Sequence, residues 1–134
     1  MDDGVFDLAT TPLHLGLGAA VVVLPPFTGD PSWYERYGEM HAADGFEGRL
    51  VSLHTFEASW DSWEVHPNGA EVVICVAGRM TLHQEEPDGT TRTVVLEEGQ
   101  GVINQPGVWH TADVASAATG LFITAGLGTE HRPR

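Results

Sequence analysis

The stretch Glu64-Val65-His66-Pro67-Asn68-Gly69-Ala70-Glu71-Val72-Val73-Ile74-Cys75-Val76-Ala77-Gly78 decides how the chain is read. Glu64 and His66 stand two residues apart, so on one extended strand their side chains leave the same face. Pro67-Asn68-Gly69 is turn chemistry, because proline fixes φ while asparagine and glycine tolerate unusual backbone angles. The chain then returns, and Glu71 opens the next strand beside the first pair. Further along, Val72, Ile74 and Val76 alternate with Val73 and Cys75, so both faces of that strand are apolar. A second layer has to cover its outer face, either the N-terminal segment or another subunit.

Outward from this stretch the pattern is short β-rich runs separated by turns, at a spacing typical of sandwiches and barrels. Strands are predicted near 50–56, 60–66, 71–77, 79–84, 91–96, 101–104, 108–114 and 120–125. Ala77-Gly78, Pro87-Asp88-Gly89 and Gln105-Pro106-Gly107 supply the other turns. Upstream, Leu13 to Leu24 reads as one strand ending at Pro25-Pro26, since proline cannot continue a paired central strand. One helix is predicted from about Pro31 to Ala43, with Asp30 as cap, Pro31 at the first position, Trp33, Tyr37 and Met40 on one face, and Gly45 ending it. Residues 127–134 are glycine-rich and then basic, which predicts a tail that leaves the barrel or packs on an acidic surface, across a dimer for example. The expected architecture is all-β: a double-stranded β-helix (jelly-roll) barrel with one short N-terminal helix.

The length of 134 residues fits one domain. Its core barrel is expected at about 48–126, preceded by an N-terminal strand and helix within 1–47. Six basic against nineteen acidic residues give a formal charge of −13, which repels phosphate backbones and anionic headgroups, so nucleic acid and membrane partners are disfavoured. All six basic residues are arginines, which excludes lysine Schiff bases and P-loop lysines. The single cysteine, Cys75, cannot form an internal disulfide, and with no basic leader the expected location is cytoplasmic.

Chemistry concentrates in Glu64, His66 and Glu71, joined by His110 from a distant strand. Two imidazoles and one or two carboxylates inside a barrel suit iron, manganese, nickel or zinc. The arrangement resembles the cupin superfamily. Its first motif is matched by His66, four residues, Glu71, six residues and Gly78, and its second by the spacing Gly99 to Gly107 to His110. Glu64 stands where that motif has its first histidine, Ala58 where it has its leading glycine, Gln105 where it has proline, and Val114 where it has asparagine. The resemblance implies metal-ligand roles for His66, Glu71 and His110, and for Glu64 by position only. Glu64 read from the residues alone is equally a rim carboxylate or an ion-pair partner for an arginine.

The resemblance implies a divalent-metal-dependent enzyme, of dioxygenase or isomerase type, acting on a small organic molecule. The alternative is a non-catalytic small-ligand binder or sensor with a degenerate metal site, and fold alone does not choose between them. A homodimer is expected. Cys75 is expected to be buried and inert. Trp60, Trp63 and Trp109 flank the motif and read as core or pocket wall. His54 precedes the motif, while His14, His41, His83 and His131 lack motif context and read as solvated or locally bonded.

Overall fold

The computed structural model describes residues 3–134. It is mostly β, with two antiparallel sheets and few helical turns. Strands β1 (Leu13–Leu15), β2 (Val21–Val23), β3 (Arg49–Phe56), β5 (Glu71–Ala77), β8 (Gly101–Asn104) and β10 (Ala118–Thr124) form one sheet in the order β2-β1-β3-β10-β5-β8. The other holds β4 (Ser62–Val65), β6 (Met80–Glu85), β7 (Thr91–Leu96), β9 (Trp109–Asp113) and β11 (Glu130–Pro133), in the order β11-β4-β9-β6-β7. The turns at 67–69, 77–78 and 105–107 each carry the chain from one sheet to the other, whereas 87–89 closes the β6–β7 hairpin within a sheet. Gly78 shows why glycine is needed at such a crossing. Its φ is +78°, and a Cβ there would lie 2.5 Å from the Ala117 carbonyl oxygen.

Strand parity sorts the space between the sheets into two ends. Val73, Cys75, Met80, Leu82, Leu96, Ala112, Ala118 and Phe122 form a buried apolar cluster. On the same faces, two residues along each strand, stand Glu71 beyond Val73, Gln84 beyond Leu82, His110 beyond Ala112 and Thr124 beyond Phe122, all buried. The register sets Glu71 opposite Asn104 and Gln84 opposite His110. The interior therefore grades from hydrocarbon at one end to hydrogen-bonding groups at the other. Cys75 lies in the apolar part, fully buried and close to the Ala77 and Gly78 carbonyls, and burial pushes its thiol pKa up.

The N-terminal expectations change in three ways. Leu13 to Leu24 is a hairpin of β1 and β2 joined by a 3-10 turn at Leu17–Ala19, because Gly18 adopts a φ of 68° that folds the run back on itself. The helix α1 (Pro31–Met40) starts as expected, with Asp30 Oδ1 accepting from the Ser32 N–H at 2.9 Å. It stops before 43, however, and the chain continues as 3-10 turns over Ala42–Glu47 around Gly45. Within the expected apolar stripe Trp33 is buried in a cluster with Leu24 and Leu50, Tyr37 packs on it, and Met40 is exposed.

The C-terminal stretch is no departing tail. β11 pairs with β4 in register, setting Glu130 opposite Val65 and His131 opposite Glu64. Arg132 pairs with Glu85 and stacks over Trp109 and Trp63, with its guanidinium carbon 4.6 Å and 5.1 Å from the ring centroids. Arg134 bonds Asp113 at 2.7 Å, and together with His83 it holds that carboxyl at a pKa of about 2. The acidic surface that the basic residues were expected to meet is the chain's own, where the two arginines find acids and indoles.

Candidate metal centre

Four side chains from three segments meet at the polar end of the interior. Glu64 comes from β4, His66 from the first position past it, Glu71 from the first position of β5, and His110 from β9 directly across from Glu64. His66 lies beyond the strand to which the sequence had assigned it, yet its ring still points with Glu64. His66 Nε2 is 2.9 Å from Glu64 Oε1 and 3.1 Å from Glu71 Oε2, and His110 Nε2 is 3.2 Å from Glu71 Oε1. One ligand atom from each of the four lies within 4.8 Å of all the others. His66, Glu71 and His110 are buried, while Glu64 reaches the rim with 27% of its side chain exposed.

Alignment distinguishes this cluster from a set of ordinary ion pairs. Both Nε2 atoms are buried, and neither forms an aligned hydrogen bond despite these short distances. The other ring nitrogens have backing: His66 Nδ1 donates to Thr129 Oγ1 at 2.7 Å, since that hydroxyl gives its own proton to the Gly126 carbonyl, and His110 Nδ1 faces the Val108 carbonyl at 3.3 Å. With Nδ1 of each ring backed in this way, Nε2 is the nitrogen that faces the carboxylates, and it is the one that would bind a metal once it has given up any proton. Glu71 is held in turn, with Oε2 accepting from Thr124 Oγ1 at 2.7 Å and Oε1 from Asn104 Nδ2 at 3.1 Å. Gln84 Nε2 donates to Asn104 Oδ1 at 2.7 Å, and its Oε1 accepts from Arg92. This outer shell fixes the carboxylate as a ligand shell requires.

Electrostatics follow from the same contacts. Burial alone lowers the His66 pKa, but the Glu64 and Glu71 carboxylates outweigh it and hold it up at about 9. Burial raises that of Glu71, and the two histidines more than reverse this, keeping it well below the usual carboxylate range. The donor set, two imidazole nitrogens and carboxylate oxygens with no thiolate, fits a divalent transition metal.

A cavity of about 1010 Å³ opens onto the centre. Glu64, His66 and Glu71 stand on its wall, whereas His110 is fully buried and does not line it. Trp60 lies against His110, with ring centroids 6.2 Å apart, and so lines the pocket, while Trp63 and Trp109 face Arg132 instead. His54 and His131 also line it, and His131 Nε2 lies 3.3 Å from Glu64 Oε2. His14, expected as solvated or locally bonded, is buried: its Nε2 lies 2.5 Å from Asp44 Oδ2, its Nδ1 2.6 Å from Tyr37 Oη, and its ring stacks on His41. His14, His41 and Asp44 thus make a second cluster on the cavity wall, tying β1 to α1 and the turns after it. Sequence reasoning missed Asn104, Gln84, Thr124 and Thr129. Strand parity with Glu71, His110 and the apolar interior positions was the available signal for the first three; Thr129 carried none.

Fold and site together define a double-stranded β-helix with a histidine and carboxylate cluster at one end. Among solved structures the chain resembles an uncharacterised protein with a double-stranded β-helix domain from Klebsiella pneumoniae subsp. pneumoniae, at 19% identity and a TM-score of 0.52 over 64% of this chain and 76% of that one. It also resembles oxalate oxidase, at 12% identity and 0.54 over 60% and 44%, and a hydroquinone 1,2-dioxygenase in complex with Cd2+ and 4-hydroxybenzonitrile, at 16% and 0.50 over 57% and 56%. At such identities the likeness shows the fold alone. No family model and no curated protein matches the chain in sequence.

Proposed function

We propose that the protein is a small cupin-type enzyme that holds one divalent transition metal on His66, Glu71, His110 and Glu64 and acts on a small organic molecule in the adjoining cavity. The observation that carries this reading is the pair of buried Nε2 atoms aimed inward without aligned donors or acceptors, each backed at Nδ1. A bound ion would supply Lewis acidity or oxygen activation, the chemistry of dioxygenase or isomerase reactions. The chain's own groups do the rest. His110 is fully buried behind the other three, Asn104 and Thr124 hold Glu71 in place, and Trp60 packs against the His110 ring. Glu64, with 27% of its side chain exposed, is the member of the set that reaches furthest toward solvent.

The test is metal quantification on purified, reconstituted protein beside His66→Ala and His110→Ala. About one ion per chain, lost in both variants, is expected. Absence of any transition metal from the reconstituted wild type would defeat the reading and leave the non-catalytic binder.

The same proposal includes a jelly-roll barrel formed by the two sheets as one domain, and a homodimer. Edge strand β2 supports the dimer, because Val21, Val22 and Val23 are all exposed there. Light scattering in solution tests it. We place the protein in the cytoplasm, where a single buried, unpaired cysteine fits a reducing environment.

A further inference from the structure

The cavity wall divides by chemistry. Trp60, Phe56, Phe122, His54 and Phe27 form an unbroken series of ring contacts, with successive centroids 5.4 to 5.9 Å apart, running from the histidine centre to the N-terminal cover. Tyr34 continues it, 5.5 Å from Phe27. The charged groups on the wall are Glu64, Glu71, Glu35 and Asp61, and no arginine lines it. Five of the six arginines are committed elsewhere, Arg79 to Glu97, Arg92 to Gln84, Arg132 to Glu85, Arg134 to Asp113 and Arg49 to the Ala70 carbonyl, and Arg36 lines a separate, smaller pocket with Leu24 and Met40.

Histidine does not fill the gap. Burial holds His54 and His41 below the ordinary imidazole pKa, so both are neutral near pH 7. His66 stands between two carboxylates, His131 Nε2 lies 3.3 Å from Glu64 Oε2, and His14 sits between Asp44 and Tyr37. A divalent ion at the centre would balance the charges of Glu64 and Glu71 and leave Glu35 and Asp61 unbalanced.

From this division we infer that the substrate is a molecule built on an aromatic ring, neutral or positively charged, and that carboxylates and phosphates are rejected. Ring faces offer stacking to a planar substrate and attraction to a cation, whereas an anion would enter a pocket with no guanidinium or ammonium to receive it. The inference rests on the cavity being the substrate pocket of the enzyme proposed above, and it names the substrate class of that site.

Three probes of one skeleton test it by calorimetry at pH 7: 4-methylphenol, tyramine and 4-hydroxybenzoate, each titrated into metal-loaded and chelator-treated protein. The neutral and cationic probes should bind at least about tenfold more tightly than the anion. Asp61→Arg, at an exposed position on the rim, should narrow that gap by strengthening 4-hydroxybenzoate alone. Tyr34→Ala, also at an exposed position, should weaken 4-methylphenol. Equal or tighter binding of 4-hydroxybenzoate by the wild type, or no binding of any probe at millimolar concentration, overturns the inference. Metal analysis of the same samples separates the two ideas, since the expected order of probes in protein that never retains metal would defeat the enzyme and keep the pocket's preference.

Discussion

Glu71 stands between both imidazoles of the centre, its Oε2 3.1 Å from His66 Nε2 and its Oε1 3.2 Å from His110 Nε2. It is also the most heavily supported side chain there, accepting hydrogen bonds from Asn104 and Thr124. A carboxylate this deeply buried is tolerable only with such partners, so its surroundings govern stability and, on the proposed function, metal affinity as well.

Removing a supporting group should therefore weaken metal binding without removing a ligand. Asn104→Ala leaves Glu71 Oε1 without its amide donor and removes one of the acceptors of Gln84 Nε2, which keeps the Ile103 carbonyl. Metal affinity should fall about 10- to 100-fold, as measured by competition with a fluorescent chelator. Wild-type affinity in a folded Asn104→Ala protein would show that Glu71 is positioned by the strand alone.

The metal-free protein should show a stability window set by the same groups. Because the folded pKa of His66 is raised from 6.5 to about 9, its contribution is complete below about pH 6.5 and disappears as pH rises through 9. Glu71 is shifted downward from 4.5, so its contribution is present above that value and is lost as the solution becomes more acidic. Urea unfolding of chelator-treated protein should show stability greatest near pH 5 to 6 and falling on either side. Equal stability at about pH 6 and about pH 9.5 would contradict the assignment for His66.

At the far side of the second sheet, Arg132 lies over two indoles and pairs with Glu85. Arg132→Ala should cost about 1 kcal/mol of unfolding free energy, through lost stacking as much as lost charge. Arg132→Lys should recover only part of this, because an ammonium cannot present a flat face to Trp63 and Trp109 together. Full recovery in the lysine variant would reduce the contact to simple charge pairing.

His14→Ala removes a buried ring that is bonded on both sides and holds Tyr37 and Asp44 to the first sheet. A loss of about 2 kcal/mol is expected, with faster proteolysis within 42–47 as the local signature. Wild-type protease resistance there would mean that the turns are held by other contacts.

Much of the second half of the fold was legible in sequence. β5, β7 and β8 fall where valine-rich alternation and turn residues placed them, because those signals are local. Three of the four residues at the centre were legible from motif spacing, and Glu64 from its parity with His66. The hairpin at 13–24 was hidden because Gly18 breaks an apolar run without looking like a turn sequence. β11 was hidden because what holds it is nonlocal: Glu85, Asp113 and the two indoles lie at least 20 residues away along the chain. The cluster around His14 has the same character, joining residues 23 and 30 positions apart.

The grading of the interior separates two duties that many proteins must reconcile at one place. Cohesion comes from Val73, Cys75, Met80 and Leu82, while the polar groups stand apart from them, Glu71 two residues before Val73 and Gln84 two residues after Leu82. Donor residues at the open end can therefore be exchanged, by natural drift or in the laboratory, while the oily foundation goes on specifying the shape.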